Sequence, residues 1–67
     1  MTRYEAVCLL AKRRNELGIP QRVIAEATGE SVPLVSHWER GRKPIPDRSL
    51  RIYAETVGVV LEWPGAS

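Results

Sequence analysis

The sequence predicts an all-α fold, a compact bundle of four to five short helices. Three observations carry that prediction. Glycines at positions 18, 29, 41 and 58 divide the chain into stretches of helical length. Apolar residues inside those stretches recur at three- and four-residue spacing. No alternation of apolar and polar residues precedes the last few positions. Glycine just past a helix end takes the left-handed conformation without a Cβ penalty, so these glycines read as stop signals.

The first segment opens with Thr2-x-x-Glu5, a capping box in which each side chain satisfies a free backbone N–H. Val7, Leu10, Ala11, Arg14 and Leu17 then repeat at helical spacing. The second segment, 21–28, is short; Ile24 and Ala25 face inward, with Val23 at their side. The third begins at Ser31, a good N-cap. Pro33 falls in its first turn, where a missing N–H costs nothing. Val35 and Trp38, three apart, share its inner face. Pro44 and Pro46 hold the next loop extended. Asp47 is expected to cap a fourth helix whose stripe is Leu50, Ala54 and Val57, with Ile52 or Tyr53 at the edge. The tail, 59–67, carries Val59, Val60, Leu61 and Trp63 before Pro64-Gly65, and reads equally as a short helix or an extended strand.

A chain of 67 residues is enough for one small domain with a thin core. Its single cysteine, Cys8, allows no intramolecular disulfide and favours a reducing, cytoplasmic compartment. Cys8 is expected to be a small buried hydrophobe. Arg3 and Glu5 interrupt any signal-peptide run, and no stretch approaches the roughly 20 apolar residues of a membrane span. No Cys/His cluster has metal-ligand spacing, so neither metal nor cofactor is expected. An enzyme is not expected either. There is no carboxylate pair, no nucleophile with a positioned base and no phosphate-cradling glycine loop.

The net charge is only +2, but eight of the ten basic residues are arginine and they cluster. Lys12-Arg13-Arg14 forms one group and Arg40, Arg42 and Lys43 another, with Arg48 and Arg51 beyond. Clustered basic residues in a domain with a pI near 9 are the electrostatic footprint of phosphate binding. A solvated helix face accounts for charge clusters equally well on composition alone.

The second and third segments, about 21–41, decide between these readings. Two short helices joined by a tight turn with Gly29 make a helix-turn-helix. In that motif the first helix crosses the DNA backbone. The second enters the major groove with its N-terminal residues at base edges. The details go further: Gln21-x-x-Ile24-Ala25, then Thr28-Gly29, then the string SHWERGRKP at 36–44. With these residues the chain resembles the Cro and lambda-repressor-like helix-turn-helix family of bacterial and phage regulators, from about Leu10 to Trp63.

The resemblance implies double-stranded operator DNA as the partner, bound as a two-fold dimer on a palindromic site. It places Val32, Pro33, Ser36 and His37 at base-reading positions, with Arg40 one turn further along. Gln21 matches the family's phosphate-contacting glutamine. Ser31, Arg42, Lys43, Arg13 and Arg48 are the other candidates for phosphate contact. It also pairs Glu39 with Arg14. Electrostatics agrees, since a carboxylate aimed at DNA would be repelled by phosphate. The chain departs from the family pattern in four places, one of them a loop from Lys43 to Asp47 that is a residue longer than in the shortest members. Few of its base-reading residues form bidentate bonds, so DNA shape is expected to share the readout. Pro20 stands where a serine or threonine usually caps the second helix. Pro64 truncates the family's fifth helix, and the apolar tail 59–63 leaves only a small patch for a mate, so a monomer or weak homodimer that is stabilised on DNA is expected. The alternative function is a protein-interaction module of antitoxin type on the same scaffold.

Overall fold

The computed structural model describes residues 2–61, where four helices and no strand are found. α1 runs over Arg3–Glu16 because the chain supplies both of its ends. The Thr2 hydroxyl accepts from the Glu5 N–H at 3.0 Å, and the Glu5 carboxylate accepts from the Thr2 N–H at 2.9 Å. α2 spans Gln21–Thr28, α3 Val32–Glu39 and α4 Asp47–Val57. α1 and α2 each pack against both α3 and α4.

All four helices end in the same way. After α3, the Gly41 N–H donates to the Trp38 carbonyl at 3.1 Å and the Arg42 N–H to that of His37 at 2.9 Å. Gly18, Gly29 and Gly58 close the other three helices with equivalent pairs of bonds. This double closure needs a residue at positive φ, and the four glycines lie between 71° and 74°. Gly29 thereby turns the chain from α2 to the Ser31 cap within a few residues.

Trp38, Tyr53, Leu10, Ile24, Val7, Val35 and Val57 fill the centre of the bundle. Ile45 joins them from the loop between α3 and α4, buried although prolines flank it on both sides. Arg3 holds that loop in place. Its guanidinium donates to the Ile45 carbonyl at 3.3 Å and pairs with Asp47 at 2.6 Å. Both partners are nearly half exposed, so the pair contributes at most about 1 kcal/mol.

Several expectations are corrected. Asp47 is the first residue of α4; Pro46 occupies the cap position and no side chain caps the helix. Tyr53 lies wholly inside, while Ile52 is the half-buried neighbour at the edge. Leu17 is exposed, because it already belongs to the C-terminal cap of α1. Cys8 is exposed as well, since Ala6, Val7 and Leu10 take the inner face of α1. Residues 59–61 are neither helix nor strand; Val59 and Leu61 pack on the core and Val60 does not. Trp63 and the rest of the tail lie outside the described residues.

Gly41 has a second constraint. A Cβ built there would meet the Tyr4 ring at 2.7 Å, whereas one at Gly58 would meet nothing within 4 Å. Alanine in the left-handed region costs roughly 1–2 kcal/mol at either position. For a chain of this size each kcal/mol lowers the melting temperature by about 4–8 °C. Gly41→Ala is therefore expected to melt below Gly58→Ala, by the packing lost when Tyr4 swings aside. Thermal melts of the two variants in the wild-type and Tyr4→Ala backgrounds check this; the difference should vanish without the ring.

Candidate nucleic-acid interface

α3 presents a buried face and an outer face. Val35 and Trp38 point into the core. Val32, Ser36 and Arg40 follow one another at four-residue steps on the outer side, beside Pro33 and His37. Val32, Pro33 and Arg40 are exposed; Ser36 and His37 are half-buried. Ser31 caps the helix, its Oγ accepting from the Leu34 N–H at 3.3 Å, which leaves its hydroxyl proton to donate outward. The apolar α3 start is thus the exposed end.

The C-terminal end of α3 is anchored through Glu39. Arg14 Nε and Nη2 donate to the two Glu39 oxygens at 3.0 Å each, a bidentate pair. The third guanidinium nitrogen, Nη1, donates to the Ile19 carbonyl at 2.8 Å. From α4, the Tyr53 hydroxyl donates to Glu39 Oε2 at 2.5 Å and accepts from Arg14 Nε at 3.2 Å. From α2, Gln21 Nε2 donates to Glu39 Oε1 at 3.0 Å. The Arg14 and Glu39 side chains are only 9 % and 10 % exposed.

Burial works against both charges. For Glu39, desolvation pushes the carboxyl up, but hydrogen bonds from Arg14, Tyr53 and Gln21 outweigh it and hold the group below the usual glutamate value. For Arg14, desolvation is likewise outweighed by bonds to Glu39 and Tyr53, and its guanidinium is held more firmly protonated. Burial and the adjacent carboxylate raise the Tyr53 phenol well above its ordinary range, so it remains a neutral donor.

The remaining candidates for phosphate contact lie in four other places along the chain. Arg42 and Lys43 follow directly after Gly41 and are exposed. Gln21 is the first residue of α2, half-buried, after a Pro20 that offers no side-chain cap. Arg13 lies near the end of α1, half exposed and 3.8 Å from Glu16. Arg48 is exposed in the first turn of α4. No metal-binding group of three or more His, Cys, Asp or Glu residues exists among the described residues. No helix there is long and apolar enough to cross a membrane.

A family model described as helix-turn-helix matches residues 10–63. The chain belongs to the Cro/C1-type helix-turn-helix family. Its members are DNA-binding regulatory domains, generally without enzymatic activity. No curated protein and no solved structure matches the chain. In the terms of this motif, α2 is the first helix and α3 the second. Sequence reading overlooked Tyr53 as a partner of the buried pair. The signal was present: positions 50, 53, 54 and 57 form one helical stripe. A tyrosine on an inner stripe needs a partner for its hydroxyl.

Loss of one member of a buried pair costs about 3–5 kcal/mol, against a total near 3–10 kcal/mol for a domain of this length. Glu39→Ala is therefore expected to leave the helix-turn-helix largely unfolded, measured by urea titration. Protonation acts in the same direction. Because the folded carboxyl titrates below its unfolded value near 4.3, the contribution of Glu39 is complete above that value. It is lost as pH falls through the lower folded value. The acid limb of stability against pH should be shallower in any folded Glu39→Gln protein.

Proposed function

We propose that this chain is a sequence-specific transcriptional regulator that binds operator DNA with α3 in the major groove. The observation that carries the reading is the outward face of α3. Its exposed N-terminal half bears no acidic residue, and its C-terminal half is fixed to the three other helices through Glu39. A recognition helix needs such an arrangement, since base contacts demand a rigid presentation.

Val32 and Pro33 meet thymine methyl groups, and Ser36 and His37 hydrogen-bond base edges. Arg40 reaches guanine or a phosphate. Gln21, Ser31, Arg42, Lys43, Arg13 and Arg48 contact the backbone and set register. Few of the base-facing groups are bidentate, so groove width and deformability contribute to the choice of site.

One such module reads too few base pairs to discriminate within a genome. Two copies with recognition helices about 34 Å apart on a palindrome supply the missing information. A groove of about 250 Å³ between α4 and residues 59–61, lined by Leu50, Ala54, Val59 and Leu61, offers a mate only a small surface. The dimer is therefore weak in solution and completed on DNA. Sedimentation should show monomer at nanomolar concentration without DNA. Half-sites should bind less tightly than full palindromes.

Selection from a random DNA pool tests the function directly: enrichment of a palindrome is expected, and no enrichment favours an interaction module. On the enriched site, log affinity should fall with log salt by about 0.9 per phosphate contact. His37→Ala should lose roughly 1–3 kcal/mol of discrimination at one base pair. Arg42→Ala should weaken all sequences alike. A uniform loss for both variants would remove His37 from the base-reading set.

A further inference from the structure

We propose that Tyr53 is a positioning residue for the phosphate contact of Gln21, acting through the Glu39 carboxylate; this rests on the reading of Gln21 as a backbone-contacting residue. Tyr53 is fully buried on α4 and cannot itself touch DNA. Its hydroxyl nevertheless lies two hydrogen bonds from Gln21, at 2.5 Å to Glu39 Oε2 and then 3.0 Å from Glu39 Oε1 to the Gln21 amide nitrogen.

The chemistry of the shared carboxylate gives this chain of contacts a direction. An ionised carboxylate only accepts hydrogen bonds. The Gln21 amide must therefore turn its nitrogen, and not its oxygen, towards Glu39. Of the two protons on that nitrogen, one is held by Glu39 and the other is left to donate to a phosphate oxygen. An amide released from Glu39 could turn freely and present its carbonyl oxygen to the phosphate, where acceptor meets anion. The terminal torsion of a glutamate is broad and roughly two-fold, so its plane has to be set by donors. Arg14 sets it from one side with its two-pronged contact. Tyr53 adds the donor on Oε2 from α4, which keeps Oε1 turned to α2.

A double-mutant cycle separates positioning from stability. Wild type, Gln21→Ala, Tyr53→Phe and the double variant are titrated with a mixed-sequence DNA duplex at low salt. Phosphate contacts carry no sequence information, so no operator is needed. The titrations are run where circular dichroism shows all four proteins folded. Each single variant is expected to bind about 2- to 10-fold more weakly, the equivalent of one hydrogen bond. The double variant should be no weaker than Gln21→Ala. An equal loss from Tyr53→Phe in both backgrounds would mean that the tyrosine acts independently of Gln21, and would overturn the proposal. A silent Gln21→Ala would remove the phosphate contact itself and the proposal with it. Should Tyr53→Phe not fold, 3-fluorotyrosine at position 53 strengthens the donor while keeping the shape. The Gln21 side-chain amide protons should then shift in the NMR spectrum of the free protein, and an unmoved pair would refute the coupling.

Discussion

One carboxylate joins all four helices. Glu39 on α3 accepts from Arg14 on α1, Gln21 on α2 and Tyr53 on α4. Burying a charge in so thin a core is costly unless nearly every lone pair is used. Here two donors reach each oxygen, and the guanidinium finds a further acceptor in the Ile19 carbonyl. The glutamate inside the basic string at 36–44 therefore belongs to the interior of the protein. Its neighbour Trp38 fills the core, so polar and apolar anchors lie side by side at the end of α3.

That arrangement leaves the other end of α3 exposed. The first turn carries Val32 and Pro33, a residue pair with little freedom of its own. Ser31 closes the turn from the N-terminal side, and Gly41 with Arg42 closes the last turn from the other. A helix of eight residues would be marginal in isolation. Here it is held by caps at both ends, by Val35 and Trp38 beneath, and by Glu39. The loop that follows is drawn inward by Ile45, so the exposed Arg42 and Lys43 are borne on a short, anchored segment.

The order of helices was legible because local signals agree. The capping box at Thr2 and Glu5, the glycine stops and the Ser31 cap act over three to six residues, and each is visible in the sequence as it acts in the fold. The candidate interface residues came from the family resemblance, since charge clusters alone left a solvated face open. The errors share a cause. Asp47 resembles a cap, but Pro46 precedes it with the extended backbone that a cap needs, and Arg3 draws the carboxylate to α1. Ile45 is loop, as the flanking prolines require, yet its side chain is taken into the core. Leu17 already belongs to the C-terminal cap of α1, and Cys8 is on a side of α1 that its packing on α3 and α4 leaves outside.

The sequence by itself determined which segments are helical and where each stops, because those outcomes depend on backbone conformation and near neighbours. It also determined the helix-turn-helix class, through the spacing of Gln21, Gly29 and the string at 36–44. Tertiary structure alone decided that Glu39 also bonds Gln21 and Tyr53, beyond the Arg14 partner that the family resemblance supplied. Its partners lie 14, 18 and 25 residues away, distances at which no periodicity relates two positions. They meet because α1, α2 and α4 are packed around α3 by apolar contacts that carry no directional information. The hydrogen bonds then select one geometry among those that the core would tolerate.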